Sequence, residues 1–352
     1  MFAGAPLDTA LPWPPPSRTG NSVAVGSPAE PQRQGTPVTP RPLFLLSLPR
    51  SGSTLVQRVL ATHPEVATAP EPWLALPQLY AMRGAGVYAE YGYGPSTRAI
   101  REFAEGLPGG REAYDEELRS FLLRVYGRAA GTAAYFLDKT PRYDLVAGEL
   151  LSLFPDARTI ILWRNPLAVV SSIVETWAGG RWTFGRWKVD LHEGLDRLVT
   201  AAAEHAGHIH AVRFEDLVEQ PDVSWPAVFG YLQLAYDPTV LRTFAETRLD
   251  ARMGDPSGSR AYDELSTEPL GKWKRTFGNA YRKAWGRRYL GWIGRERLAV
   301  MGYDLEQLLD ELAAVPAGPR SLASDAWRGA YGRATQTRRD RALRRLTKRG
   351  RW

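Results

Sequence analysis

The apolar residues of this chain fall into short runs of strand length, separated by longer segments in which apolar residues recur every three or four positions. The two strongest runs cover 42–48 and 159–163, and shorter runs cover 134–137 and 209–214. The segment 111–129 shows the helical spacing. Continuous apolar runs indicate strands buried on both faces, and strands that alternate with helices indicate a parallel sheet. The predicted fold class is α/β, with a three-layer parallel β-sheet flanked by helices.

The remaining pattern predicts further helices over 144–154, 167–177 and 191–206. Pro166 suits the first turn of the second of these helices, because its fixed φ matches a helix start. The segment 178–188 is rich in Gly, Trp and Arg, and we expect it to form a loop or lid.

Composition changes at both ends of the chain. Residues 1–40 hold nine of the 27 prolines and predict a disordered Pro-rich leader. Residues 325–352 hold ten basic and two acidic residues, so this segment carries a charge of +8, and the rest of the chain, at −1, is nearly neutral. We therefore predict a folded domain over 41–315 and a basic C-terminal tail over 316–352. The tail is interpreted as a solvated extension. Its positive charge would allow peripheral contact with a membrane, and no specific nucleic acid is expected as a partner.

Composition also excludes several classes of protein. The 352 residues are 44% hydrophobic and 11% aromatic, which is typical of a globular chain. Cysteine is absent, which excludes disulfides, thiolate metal sites and cysteine nucleophiles. The sequence contains no apolar stretch of about 18 residues, so no transmembrane helix is predicted. The first residues lack a basic leader followed by an apolar core, so a cytoplasmic location is expected.

A short polar loop, Arg50-Ser51-Gly52-Ser53-Thr54, follows the first predicted strand and precedes a helix. The first N–H groups of a helix lack partners and carry the positive end of its dipole, so such a loop favours an oxyanion. The loop predicts a phosphate or sulfate site; a serine-rich N-cap is the alternative. A nucleotide triphosphatase loop would read G-x-x-x-x-G-K-[ST], but the first lysine of this chain is Lys139. ATP or GTP hydrolysis is therefore disfavoured.

Cationic residues follow four of the predicted strands. Arg50 follows the first strand, Lys139 and Arg164 follow the next two, and Arg213 closes another. Ligands of parallel sheets bind at the carboxyl ends of the strands. We therefore expect these side chains to converge on one site.

The loop and a second motif together resemble sulfotransferases that use 3′-phosphoadenosine 5′-phosphosulfate (PAPS). The second motif is Arg164 with Ser172 eight residues later, and Ser171 is expected to face elsewhere. The resemblance implies a P-loop-NTPase-like sulfotransferase fold. It also implies that the loop holds the 5′-phosphosulfate and that Arg164 and Ser172 hold the 3′-phosphate.

Within that family, the chain is most similar to the branch of bacterial sulfotransferases and tyrosylprotein enzymes. The similar stretches are residues 50–55, His63-Pro64-Glu65-Val66 and Glu71. The resemblance implies that Glu71 is the general base and that Lys139, with Arg50, stabilises the transferring group. Further similarity lies at 213–217, at Gly271-Lys272-Trp273-Lys274 and at 301–304. It adds Arg213 and Lys272 to the expected PAPS-binding residues and extends the resemblance over about 42–305.

Three assignments stay open at this point. His63 is the competing base. A serine upstream of the Lys-Trp pair holds the sulfuryl group in the tyrosylprotein enzymes, and Ser257, Ser259 and Ser266 are all candidates here. An aromatic cleft for the acceptor, or simple loop packing, could be formed by Trp73, Tyr80, Tyr88, Tyr91, Tyr93, Trp177, Trp182 and Trp187.

The expected function is therefore sulfuryl transfer from PAPS to a hydroxyl of a small-molecule, carbohydrate or lipid-like natural-product acceptor. In-line transfer with a Glu base would leave 3′-phosphoadenosine 5′-phosphate (PAP) as product. No metal is expected, because the sulfate is singly charged and the protein supplies the cations. The alternatives are a P-loop-type kinase of a small metabolite and a non-catalytic membrane or nucleic-acid adaptor that uses the basic tail.

Overall fold

The structure is a computed structural model that describes residues 39–83, 93–183, 185–247 and 265–329. All of them belong to the unit Thr36–Trp352. Nearly all of the predicted leader and the tail from residue 330 onward lie outside the described residues. The division into leader, domain and tail therefore stays a prediction.

Five parallel strands form the sheet, in the order β2-β3-β1-β4-β5. They are β1 (Arg41–Ser47), β2 (Val66–Thr68), β3 (Tyr135–Asp138), β4 (Arg158–Trp163) and β5 (Ile209–Arg213). The four predicted strands are present. The edge strand β2 was not predicted, because three residues are too few to show a periodic pattern.

Helices connect and cover the strands. They are α1 (Ser53–Leu60), α2 (Leu76–Met82), α3 (Tyr93–Glu105), α4 (Gly110–Ala130), α5 (Ala147–Leu153), α6 (Pro166–Trp177), α7 (Leu195–Glu204), α8 (Phe214–Glu219), α9 (Pro221–Leu232), α10 (Val240–Thr243), α11 (Lys272–Thr276), α12 (Ala280–Val300) and α13 (Leu305–Ala314). A further helical stretch covers 322–329. Among the described helices, none is both long and apolar enough to cross a membrane.

Two of the predicted helices begin differently from the expectation. The predicted helix 144–154 begins as a 3₁₀ turn, Pro141–Val146, which leads into α5. A π-helical turn, Asp190–Gly194, precedes α7. The last residue of the fourth predicted strand, Phe214, is the first residue of α8 instead.

The core has two halves, one on each face of the sheet. Successive side chains of a strand point to opposite faces, so Phe44 and Leu46 of β1 pack on one side and Leu43 and Leu45 on the other. The first half includes α6 and α7, and the second includes α1, α8 and α9. The predicted three-layer α/β fold is confirmed.

Packing continues past the predicted domain end at residue 315. Asp325 is fully buried and accepts hydrogen bonds from the Arg282 guanidinium, with Nε 2.7 Å away, and from Asn279. Because both partners belong to the start of α12, residues 316–329 are held to the folded domain.

The loop after β1 is packed tightly against α8. Gly52 has φ +94°, and a Cβ placed there would lie 2.4 Å from a ring carbon of Phe214. Phe214 is itself fully buried, so its ring cannot move aside. The loop therefore needs glycine at this position both for its backbone angle and for the space.

We predict that Gly52→Ala lowers the free energy of unfolding by about 2–5 kcal/mol, from left-handed backbone strain and overpacking together. Urea unfolding measures this loss. Gly230→Ala is the matched control, because Gly230 is an exposed position of α9 with open space around it. Equal stability of the two variants would contradict the packing argument.

Two buried carboxyl groups interact with each other: Asp144 in the 3₁₀ turn Pro141–Val146 and Asp190 at the start of the π-helical turn. Burial, and the charge of Asp190, raise the pKa of Asp144 well above its usual value. Burial also raises the pKa of Asp190 to about 6, opposed by Arg142, whose Nη1 is 3.1 Å from Asp190 Oδ1. Gly194 leaves room for the pair, since a Cβ there would meet Asp144 Oδ2.

The raised pKa of Asp190 gives stability a defined pH dependence. Between about pH 4 and pH 6 the folded state binds more protons than the unfolded state, so the free energy of unfolding falls as the pH rises. We predict that Asp190→Asn removes the Asp190 share of this fall and leaves the share of Asp144, and that the variant is more stable than wild type at pH 8, by up to about 3 kcal/mol. The comparison of urea unfolding at pH 4 and pH 8 tests it, with Asp310→Asn on the surface of α13 as control.

Candidate active site

The turn from β1 into α1 forms a cradle of backbone N–H groups. Arg50 and Gly52 both have left-handed backbones, with φ of 70° and 94°, and α1 begins directly after them. Within the described part of the chain, the N–H groups of residues 52–54 have no hydrogen-bond acceptor. Adjacent free N–H groups at a helix start fit an oxyanion, as the sequence predicts.

The side chain of Arg50 lies along α6. Its Nε donates to Ser172 Oγ at 3.2 Å, and its Nη2 donates to Thr176 Oγ1 at 3.3 Å. The guanidinium carbon is 5.6 Å from the centre of the Trp177 ring. Ser172 and Thr176 are four residues apart and therefore share a helix face. The loop and the second predicted motif thus meet through Arg50.

Arg164 joins the same cluster from the end of β4. Its Nη1 donates to the carbonyl oxygen of Arg50 at 3.0 Å, and its guanidinium carbon lies 4.6 Å from the centre of the Phe214 ring. Ser171, in contrast, is buried, and its Oγ lies 2.7 Å from Thr276 Oγ1 of α11. The structure therefore brings Arg50, Arg164 and Ser172 together and confirms that Ser171 faces elsewhere.

Glu71 and Lys139 form a buried ion pair at the end of β3, the strand that pairs with β1. Lys139 Nζ lies 2.9 Å from Glu71 Oε1, and the two side chains are 4% and 10% exposed. The indole Nε1 of Trp73 donates to the other carboxylate oxygen at 3.3 Å. Gln57 of α1 donates to the carbonyl oxygen of Ala69 at 2.8 Å, which ties the Glu71 segment to the helix behind the loop.

Below Lys139, the fully buried carboxylate of Asp138 accepts three hydrogen bonds. The donors are the hydroxyls of Tyr126, Tyr143 and Thr140, at 2.7, 2.9 and 2.8 Å. Burial raises the pKa of Asp138, and these bonds and Lys139 oppose the shift. In this stretch the sequence identified only Lys139 as a candidate. Asp138 could have been identified as a carboxylate at the end of an otherwise apolar strand.

Two predicted PAPS-binding residues are engaged with acids of the chain itself. Arg213 donates through Nε to Asp216 at 2.7 Å and through Nη1 to the carbonyl of Gly302 at 3.0 Å. Lys272 is about half exposed and lies 3.1 Å from Glu268. These contacts support a structural role for Arg213 and Lys272. That the two residues bind PAPS stays a prediction.

The competing candidates have local contacts. His63 Nδ1 accepts the backbone N–H of Glu65 at 3.2 Å within its own turn, which supports a turn role rather than a base. Ser266 is exposed and accepts the N–H of Glu268. Ser257 and Ser259 lie outside the described residues.

The predicted aromatic cleft is described only in part. Trp177 stacks on Trp187 with ring centres 5.2 Å apart, next to Arg50. Trp182 is buried against Phe277 and therefore belongs to the core. Tyr80 is partly buried and packs against the same core. Tyr88 and Tyr91 lie outside the described residues, as does the side chain of Tyr93.

Comparison with known proteins gives the family. A family model described as "Sulfotransferase family" matches residues 42–238. Nodulation protein NoeE of Sinorhizobium fredii is 34% identical over 57% of this chain and 52% of its own length, so the chain spans about half of that relative. Protein-tyrosine sulfotransferase 2 of Gallus gallus is 26% identical over 66% of this chain and 62% of its own.

Among solved structures, the sulfotransferase domain of the Synechococcus PCC 7002 olefin synthase matches with a TM-score of 0.47 and 23% identity. That match covers 67% of this chain and 88% of the domain. The expected resemblance to sulfotransferases, tyrosylprotein enzymes among them, is confirmed. Because the family model covers more than half of the sequence, from β1 to the loop after α9, the chain belongs to the sulfotransferase family.

Proposed function

We propose that this protein transfers the sulfuryl group of PAPS to a hydroxyl group of a small-molecule, carbohydrate or lipid-like natural-product acceptor. The observation that carries the proposal is the buried Glu71–Lys139 ion pair, whose Glu71 segment is tied by Gln57 to α1, the helix that begins at the cradle of N–H groups at 52–54. An anion site next to a carboxylate base and a cation is the set of groups that sulfuryl transfer requires. A cytoplasmic location stays a prediction.

The residues of the loop fit the donor. The N–H groups of 52–54 and Arg50 would hold the 5′-phosphosulfate, and Arg164 and Ser172 would hold the 3′-phosphate. Arg50 already touches Ser172, and Arg164 already touches the loop, so the two halves of this site are linked before any ligand binds. Bound PAPS would supply the sulfuryl group and leave as PAP.

The ion pair explains how one site can hold a base and a cation together. Glu71 Oε would accept the proton of the acceptor hydroxyl, which neutralises the carboxylate that holds Lys139. The Lys139 ammonium then lacks its counter-charge while negative charge develops on the reacting oxygens. A cation in an interior that excludes water stabilises such charge strongly.

A kinase is the first alternative, and ligand binding separates the two. We predict that PAP raises the melting temperature, because a ligand present at 100 times its Kd stabilises the fold by about 2.7 kcal/mol. ATP with Mg²⁺ should leave it nearly unchanged, since the loop lacks the Lys-Ser/Thr pair. Thermal unfolding measures both. Stabilisation by ATP with Mg²⁺ and not by PAP would favour the kinase.

Incubation with PAPS and a panel of hydroxylated acceptors, followed by mass spectrometry for an added sulfate, then identifies the acceptor class. A chain truncated after Gly329 addresses the adaptor alternative, because it removes most of the basic tail and keeps the buried Asp325. Persistent transfer would make the tail an accessory. A wild-type protein that neither binds PAP nor transfers sulfate would contradict the proposed function.

The roles of Glu71 and Arg50 are separable. We predict that Glu71→Gln lowers kcat by about 10²–10⁴, the usual loss of a general base, and still binds PAP. Arg50→Ala should weaken PAP binding about tenfold or more, because it removes a charged contact. Steady-state kinetics and calorimetric titration with PAP measure the two effects.

Glu65→Gln is the matched control, since Glu65 is an exposed carboxylate six residues before Glu71. A lower melting temperature of Glu71→Gln is expected as well, because Lys139 loses its buried partner. PAP binding shows that this variant remains folded. Wild-type kcat in Glu71→Gln would remove Glu71 as the base.

A further inference from the structure

The carboxylate of Asp138 is connected to the backbone on which Glu71 lies. Thr140 Oγ1 donates to Asp138 and accepts the backbone N–H of Trp73 at 3.2 Å. Tyr143 Oη donates to Asp138 and accepts the backbone N–H of Ala75 at 3.1 Å. Two hydroxyl bridges therefore run from one buried carboxylate to the residues two and four places after Glu71.

The direction of these hydrogen bonds follows from the groups involved. A backbone N–H can only donate, so each hydroxyl accepts from the backbone and has its single proton left for Asp138. The carboxylate is thus the common acceptor that fixes both hydroxyls. Without an acceptor at this position the hydroxyls would be free to rotate away from the backbone.

The bridged backbone is strained. Trp73 has φ +55°, in the left-handed region that side chains other than glycine rarely adopt. Such a residue costs about 1–3 kcal/mol and persists only where its surroundings hold it. Thr140 Oγ1 accepts the backbone N–H of Trp73, and the indole of Trp73 donates to Glu71. Backbone and side chain of Trp73 thus link the bridge to the carboxylate of Glu71.

We propose that Asp138 is a positioning residue that acts through Thr140 and Tyr143 to hold the Glu71 segment against Lys139. This role rests on the proposed function, because it assigns to Asp138 the placement of the base. Asp138 itself touches no reacting atom in this role. Asp138 is the last residue of β3 and Lys139 follows it directly, so one strand end fixes the positions of both residues.

The network contains its own control. Tyr126 donates to the same carboxylate oxygen of Asp138 as Tyr143 does, at 2.7 Å, and its hydroxyl has no hydrogen bond to the 70–75 backbone in the described structure. Tyr126→Phe and Tyr143→Phe therefore remove equivalent bonds from Asp138. Only the second removes a bridge to the Glu71 segment. Substitution of Asp138 removes all three bonds together, so the test uses its partners.

We expect Thr140→Val and Tyr143→Phe to lower kcat by roughly ten- to hundredfold, because a small misplacement of a catalytic group has effects of that size. PAP affinity should stay within about twofold of wild type, since the loop at 50–54 is untouched. Tyr126→Phe should keep kcat within about twofold, at a temperature below the melting point of every variant. Thr140→Ser, which keeps the hydroxyl, should recover most of the lost kcat.

Hydrogen exchange of a peptide spanning 69–76 gives a readout that does not depend on activity. Exchange should be faster in Thr140→Val and Tyr143→Phe than in wild type, and unchanged in Tyr126→Phe. Equal exchange in all variants, or an equal fall in kcat for Tyr126→Phe and Tyr143→Phe, would overturn the positioning role. If the wild type transferred no sulfate, the proposed function would fail, while exchange would still decide whether the bridges from Asp138 through Thr140 and Tyr143 hold this segment.

Discussion

Glu71 and Lys139 lie in the interior as a charged pair, and neither can be buried alone. Removing one partner of such a pair leaves an uncompensated charge, at a cost of several kcal/mol. The surroundings of the pair keep the two groups in register: Gln57 holds the backbone before Glu71, and the hydroxyl bridges from Asp138 hold the backbone after it. Much of the local structure can thus be understood as the means of keeping one carboxylate and one ammonium in contact.

The anion cradle depends on a different kind of constraint, which is space. Gly52 lies against the Phe214 ring, and Arg164 lies over the same ring. The start of α8 therefore supports both the loop after β1 and the arginine at the end of β4. This explains why two motifs more than a hundred residues apart can act as one site.

The sequence predicted the elements that carry strong local signals. β1 and β4 are continuous apolar runs, and the composition of the Arg50–Thr54 loop is typical of few structures other than an anion site. β2 has three residues and no pattern of its own, so only its pairing with β3 reveals it. The Asp138 bridges depend on residues far apart in the chain, Trp73 and Thr140 among them, and tertiary contacts of this kind leave no periodic trace.

The contacts of Arg213 and Lys272 show why a cation at a strand or helix end is an incomplete signal. Asp216 lies three residues after Arg213, and Glu268 lies four residues before Lys272. Helical spacing brings such pairs together, so the acids next to each cation must be weighed with the cation itself. Arg50 and Arg164 have no acid at those spacings on the side where each enters a helix, and their described partners are hydroxyls, a carbonyl and aromatic rings.

The position of β1 in the middle of the sheet has a consequence for how the chain folds. β1 is the first strand in the sequence, yet its two neighbours are β3 and β4, which come roughly a hundred residues later. During synthesis the central strand must therefore wait, unpaired, until roughly a hundred further residues have left the ribosome. Parallel pairing over such separations is slow, so the segment that becomes the anion cradle is made early and fixed late.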